Sequence, residues 1–98
     1  PETLAPAQLA RFDAAMVLDV RNKSEHSAGH IPGSEQLNAG RVLWHTDQLP
    51  SDGVIVSYCQ SGVRNSVAAS ALRRAGHEVV ELEGSYAGWN AWKQSQDA

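Results

Sequence analysis

Apolar positions along this chain fall in short dense runs separated by polar, glycine-containing stretches. Met16-Val17-Leu18-Asp19-Val20, Val54-Ile55-Val56-Ser57-Tyr58 and Glu78-Val79-Val80-Glu81-Leu82 are the clearest. They are too short for stable helices and rich in β-branched residues, so they predict strands. Between them the spacing changes to a helical period. Leu9, Phe12 and Met16 follow Pro6, which suits a first helical position, although Ala5 before it is a poor cap. Ser24 can cap a short helical turn that Gly29 ends. Arg41 to Leu49 reads as helix, stopped by Pro50. Val67, Ala68, Ala71, Leu72 and Ala75 share one face of a helix closed by Gly76. Tyr86, Trp89 and Trp92 mark a last short helix, with a polar tail from Lys93 to Ala98 expected to fray. A short strand around Gln36-Leu37-Asn38 and turns at Ile31-Pro32-Gly33, Asp52-Gly53 and Glu83-Gly84-Ser85 complete the pattern. Strands alternating with helices imply parallel βαβ units and an α/β sandwich. In such sheets ligands bind beyond the carboxyl ends of the strands.

One such end carries the chain's only cysteine. Cys59-Gln60-Ser61-Gly62-Val63-Arg64 joins the strand ending at Tyr58 to the helix of Ser66–Leu72. A thiol at that junction meets converging backbone N–H groups, and the helix dipole favours its thiolate. Successive amides in such a loop can form a concave anion nest. Gly62 supplies the freedom that an inward turn of the amides requires. Arg64 is a cation where the helix dipole opposes one, so it needs an anionic ligand or a carboxylate. Asp19 is the first candidate partner for Arg64, and Arg21 is expected to pair with Glu25 across one turn. An isolated strand-end cysteine would read as core. In register with Gly62 and Arg64, Cys59 reads as a nucleophile, with Asp19, Arg21 and Glu25 as structural support.

Composition narrows the classes. The 98 residues make one domain, 1–98, and 42% are hydrophobic, enough for a packed interior. A formal net charge of −3 disfavours a nucleic-acid surface. No apolar run approaches a membrane span. One cysteine excludes an internal disulfide and, without paired ligand spacing, argues against zinc. A lone thiol is easiest to keep in a reducing compartment, which points to the cytoplasm. The chain begins at Pro1 without an initiator Met, so it is expected to be trimmed or excised from something longer. His26 and His30 have metal-like spacing, but Gly29 and Pro32 break any helix that would align them. His30 is expected to stabilise the turn, with His26, His45 and His77 on the surface. Trp44, Trp89 and Trp92 read as core or core-edge anchors.

Several segments together match one pattern. Asp19-Val20-Arg21, then Glu25, then Gly29-His30-Ile31-Pro32-Gly33 resembles the N-terminal signature of rhodanese-like domains. Tyr58-Cys59-Gln60-Ser61-Gly62-Val63-Arg64 is similar to their active-site loop. Leu82-Glu83-Gly84-Ser85 with Trp89 resembles their C-terminal signature, with Ser85 where family members often have a second glycine. The loop, with Ala39-Gly40-Arg41-Val42, also resembles rhodanese-like modules fused to metallo-β-lactamase-fold domains in bacteria. The resemblance implies a three-layer α/β sandwich with a small, about five-stranded parallel sheet. It implies a sulfurtransferase in which Cys59 carries sulfur from thiosulfate or a thiol persulfide to a thiol or cyanide. The amides from Gln60 through Arg64 would cradle the terminal sulfur, with no metal or organic cofactor. A fused or partner protein domain is a further expectation.

Two other readings stay open. Phosphatases and arsenate reductases also place Cys and Arg around an anion nest, but their loops in the related fold have one more residue before the Arg. Only Gln60, Ser61, Gly62 and Val63 separate Cys59 from Arg64, and no placed acid is evident. A non-catalytic binding or persulfide-carrying module is the other alternative, with the intact loop weighing against a purely regulatory role.

Overall fold

The three apolar runs are strands, and their side chains divide between two cores with the period of two that a strand imposes. The structure, a computed structural model, describes residues 3–97. Its elements in chain order are β1 (Thr3–Leu4), α1 (Pro6–Leu9), β2 (Ala14–Asp19), α2 (Lys23–Ala28), β3 (Glu35–Gln36) and α3 (Ala39–Val42). A 3₁₀ turn (Thr46–Gln48), β4 (Val54–Tyr58), α4 (Val63–Arg74), β5 (Glu78–Leu82) and α5 (Ser85–Asp97) follow. The strands form one five-stranded sheet in the order β1-β5-β4-β2-β3. Every pairing is parallel. Parallel neighbours need crossovers, and the helices supply them on both faces.

On one face Leu18, Ile55 and Val79 pack against Val42, Ala68, Ala69 and Leu72, which come from α3 and α4. On the other, Leu4, Val56, Tyr58 and Leu82 pack with Leu9 and Phe12 from the α1 region and Tyr86 and Trp89 from α5. This is the expected three-layer sandwich. Asp19 and Tyr58 lie side by side in the β2–β4 register, each the last residue of its strand. Cys59 follows immediately, at the carboxyl end of the central strand.

Several local expectations change. β1 is absent from the sequence reading, because two residues carry no periodicity. Ser24 is not a cap. The helix starts earlier, with Asn22 as N-cap and Glu25 accepting the Asn22 N–H at 3.0 Å. The stretch from Arg41 to Leu49 is not one helix but the end of α3 and the 3₁₀ turn. β3 covers Glu35–Gln36 rather than 36–38. On α4 the buried face is Asn65, Ala68, Ala69, Ala71 and Leu72. Val67 is 55% exposed and Ala75 is also outside the core, because the helix is rotated to place Asn65 under the loop. Trp44 is no anchor, being 82% exposed. Trp89 and Trp92 are half-buried and, with Phe12 and Ile31, line an apolar cleft of about 400 Å³ that contains none of the cysteine-loop residues. The tail remains helical to Asp97, and Ala98 lies outside the described residues. His77 is not a free surface group. Its ring nitrogens lie 2.9 Å from the Pro50 carbonyl and 2.6 Å from that of Thr46, tying the 3₁₀ turn to the start of β5. His45 is half-buried.

The corrected face of α4 is testable by urea unfolding. Leu72→Ala opens a hole in the fully buried core and should cost about 2–5 kcal/mol. Val67→Ala should stay within about 0.5 kcal/mol of the wild type. Comparable losses would mean that the helix is rotated from the position described.

Candidate active site

Asp19 is fully buried at the end of β2. A buried carboxylate needs partners, and here it has them on both oxygens. Oδ1 accepts from the backbone N–H of Arg21 at 2.9 Å and from Arg21 Nε at 2.9 Å. Oδ2 accepts from Arg21 Nη2 at 2.8 Å and the Tyr58 hydroxyl at 3.1 Å, and lies 2.9 Å from His26 Nδ1. Burial alone would push the Asp19 carboxyl up. Hydrogen bonds from Arg21 and His26 outweigh it and hold the group below its ordinary value. Burial pushes the Tyr58 phenol up to about 12, so it remains a donor at neutral pH.

Arg21 extends this hub outward. Its Nη2 donates to the Gly29 carbonyl at 2.7 Å, and its Nη1 donates to Gln60 Oε1 at 3.2 Å. The guanidinium lies 4.4 Å from the centre of the Tyr86 ring. The end of α2, the cysteine loop and the start of α5 therefore meet on one side chain. His26 accordingly belongs to the hub, with a side chain 20% exposed, and is not the surface residue expected. His30 stabilises the turn as expected, its Nδ1 lying 2.8 Å from the His26 carbonyl and its ring stacked on that of His26.

The expected pairing of the arginines is exchanged. Arg64 does leave the loop for a carboxylate, but the partner is Glu25, not Asp19. Nη1 and Nη2 donate to the two Glu25 oxygens at 2.7 and 2.9 Å. Arg21 in turn pairs with Asp19, not with Glu25. Both corrections have one cause: Asp19 is sealed below Arg21, while Glu25 on the outer face of α2 is the carboxylate that Arg64 can reach. The Arg64 hydrogen bonds and that from the Asn22 N–H lower the Glu25 carboxyl to about 2. Hydrogen bonding to Glu25 raises Arg64 in the same way.

Cys59 is 1% exposed, and its sulfur lies at the floor of the loop. The Gly62 N–H donates to Sγ at 3.0 Å and the Asn65 N–H at 3.3 Å. Gly62 is the N-cap of α4 at φ 118°, a left-handed conformation that favours glycine. That turn brings the amides of the loop and of the first helical turn onto the sulfur. The chain is gripped from the opposite side by α5. The Tyr86 N–H donates to the Cys59 carbonyl at 2.9 Å and the Ala87 N–H to the Gln60 carbonyl at 3.1 Å. Because trans peptides point N–H and C=O in opposite directions, the Gln60 and Ser61 amides turn away from α5. Gln60, Ser61 and Val63 are exposed, and none of the three carries a charge. Beside the loop lies a cleft of about 380 Å³ lined by Arg21, Gly29, Gln60, Tyr86 and Asn90 among others.

Sequence reasoning passed over Asn65, and it marked Ser85 only as a departure in the turn and not as a neighbour of the cysteine. Asn65 is 1% exposed, and its side-chain amide donates to the Ser57 carbonyl at 3.0 Å. A polar residue ill-suited to a helix interior, in the first turn after the loop, is the signal that was available. Ser85 is fully buried with φ 54°, where a Cβ costs about 1–2 kcal/mol. A thiol on a floor of N–H donors can act as a thiolate nucleophile, and the same donors can hold a second sulfur or another small anionic group.

Comparison with known proteins gives this geometry a family. The model of the rhodanese-like domain matches residues 5–91. The chain therefore belongs to the rhodanese-like domain family. It is 32% identical over 85 residues to the thiosulfate sulfurtransferase GlpE of Pseudoalteromonas translucida, covering 86% of this chain and 81% of that one. It is 31% identical over 81 residues to the uncharacterised YqhL of Bacillus subtilis, covering 82% of this chain and spanning 64% of YqhL. A rhodanese-related protein from Thermoplasma volcanium superposes with a TM-score of 0.85 at 25% identity, over 94% of this chain and 93% of its own. Some distant relatives are thus sulfurtransferases by name. No helix among the described residues is long and apolar enough to cross a membrane.

The Glu25–Arg64 pair has a definite acid signature. A carboxyl lowered from 4.5 to about 2 contributes stability that is complete above pH 4.5 and is lost as pH falls toward 2. Both side chains are partly exposed, so the contribution is about 1 kcal/mol or less. Glu25→Gln should be the less stable protein at neutral pH, and the gap should close between pH 4.5 and 2. Urea midpoints across that range measure it. A gap that persists at pH 2 would show that the ion pair is not its origin.

Proposed function

We propose that this domain moves a sulfane sulfur from a donor to an acceptor thiol through a persulfide on Cys59. The observation that carries the reading is the Cys59 sulfur on the Gly62 and Asn65 amides, at the carboxyl end of the central strand. In the first step the Cys59 thiolate attacks the donor's outer sulfur. The donor's S–S bond breaks, and its electron pair leaves with a thiolate or with sulfite. In the second step an acceptor thiolate attacks the outer sulfur of Cys59–S–SH. That S–S bond breaks and the pair returns to Sγ. No electrons are gained or lost overall, because the sulfane sulfur only changes carrier. The amides from Gln60 through Arg64 receive the outer sulfur, as preorganised donors receive an oxyanion. Asp19, Arg21 and Glu25 support the site: the first two brace Gln60, and Glu25 holds Arg64 aside.

Phosphate transfer is the weaker reading. It asks for a cation on the transferred group, and Arg64 is engaged by both oxygens of Glu25. Treatment with glutathione persulfide should add the mass of one sulfur to the protein, and Cys59→Ser should add none while remaining folded. A wild-type protein that gains no sulfur from either class of donor would sink the proposal.

Charge around the loop bears on the donor. Thiosulfate is a dianion, and both of its charges depart on sulfite. Arg64 and Arg21 are each neutralised by a carboxylate, and the exposed loop side chains bring no charge. A thiol persulfide presents its outer sulfur on an arm that the cleft beside Gln60 can accommodate, and it needs less positive potential. We therefore expect a high apparent KM for thiosulfate and better use of a thiol persulfide. Ser61→Lys, which leaves the Arg21–Gln60 hydrogen bond in place, should improve thiosulfate turnover. The relative named for thiosulfate argues the other way, so steady-state kinetics on both donors decide: a clear preference for thiosulfate would mean that the amides alone hold the dianion.

A further inference from the structure

Ser85 is the one non-glycine residue with positive φ among the described residues. It is fully buried, and its hydroxyl lies against the cysteine. The Cys59 N–H donates to Ser85 Oγ at 3.2 Å, while Oγ lies 3.8 Å from Cys59 Sγ. The amide occupies a lone pair of the hydroxyl and leaves its proton to be donated. The sulfur is the acceptor that the structure brings within reach of it. Strain retained at a fully buried position needs compensating contacts, and those of this hydroxyl are both with Cys59, its backbone amide and its sulfur.

We infer that the Ser85 hydroxyl is a third hydrogen-bond donor to the Cys59 sulfur, beside the Gly62 and Asn65 amides, and that it stabilises the thiolate. Its further effect on turnover rests on the sulfur-transfer reading above. When an acceptor thiolate R–S⁻ attacks the outer sulfur of Cys59–S–SH, the products are R–S–SH and the Cys59 thiolate. The negative charge moves from the attacking sulfur to Sγ. In the persulfide the inner sulfur is uncharged and a poor acceptor. As the S–S bond breaks it becomes a strong one. The Ser85 hydroxyl thus gains strength in the direction of the transition state, which is the condition for a contact to accelerate a step. The two amides are fixed by the fold, whereas a hydroxyl can rotate toward the sulfur as the charge arrives.

Two variants separate the hydroxyl from the backbone. Ser85→Ala keeps the Cβ and the strained φ and removes only the oxygen. Ser85→Gly removes the oxygen and relieves the strain, so it should fold even if the alanine variant does not. Thiolate absorbance in the ultraviolet, followed against pH, reads the single thiol without any sulfur donor. In both variants its midpoint should rise by about one unit relative to the wild type. Single-turnover discharge of the loaded protein to glutathione should slow by about tenfold in both, with loading of one sulfur retained. An unchanged midpoint in the alanine variant, or a shift in the glycine variant alone, would overturn the inference. If the wild type takes up no sulfur, the sulfur-transfer reading and the leaving-group role fall together, and the titration still decides whether Ser85 holds the thiolate.

Discussion

The buried Asp19 carboxylate is the constraint around which the cysteine-bearing end of this sheet is arranged. Carrying it to the floor of the loop is costly, and its attraction to Arg21 offsets that cost only because its oxygens are hydrogen-bonded throughout. Those same bonds fix three separate pieces of chain. The Arg21 backbone and side chain fold back over β2, Tyr58 is held at the end of β4, and His26 draws α2 inward. Removing one partner of such a pair typically costs about 3–5 kcal/mol, because the other charge is left buried alone. The hub is therefore less a source of net stability than a device that makes one arrangement of the loop far better than its neighbours.

The cysteine loop inherits its shape from this arrangement. From below, Arg21 holds the Gln60 side chain. From one side, the first amides of α5 hold the Cys59 and Gln60 carbonyls. From the other, Gly62 starts α4 and turns its own amide onto the sulfur. A loop held at three points can keep its donors aimed without a ligand present, which is what preorganisation requires. Glu25 completes the frame by drawing Arg64 outward. The cation that the dipole of α4 disfavours is in this way removed from the sulfur without being lost from the loop's support.

Much of this was legible in the sequence, and the limits have physical causes. The main strands announced themselves as β-branched runs, and their alternation with helical stretches implied the parallel sheet that is found. Cys59 was legible because a lone cysteine, a glycine and an arginine at fixed offsets fit one loop geometry. Among the short elements β1 was missed, and β3 and α3 were found with the wrong bounds, since all three are too brief for a period to show. Partner choice was not legible either. Asp19, Arg21, Glu25 and Arg64 were all named, yet Asp19–Arg21 and Glu25–Arg64 exchange the pairings expected. Pairing between two carboxylates and two arginines depends on depth, and depth is a property of the packed molecule. The rotation of α4 escaped for a related reason: Val67 is more hydrophobic than Asn65, but Asn65 is the residue whose amides reach Cys59 and Ser57.

The electrostatic character of the site follows from these pairings. With both arginines matched by carboxylates, little net charge remains near the sulfur. What remains is a set of backbone dipoles, fixed in direction and effective over the distance of a hydrogen bond. Such a field does not draw an anion from afar, since steering across a Debye length needs unbalanced charge. It acts on a group already delivered to the loop. A site of this kind distinguishes its ligands by whether the reactive atom can descend to the donors, which is a question of reach and shape. The buried position of Cys59 sharpens that demand, because the atom that meets the sulfur must enter past Gln60, Ser61 and Val63. The same sealing that costs the site its long-range attraction keeps water from the sulfur, where every dipole then acts at greater strength.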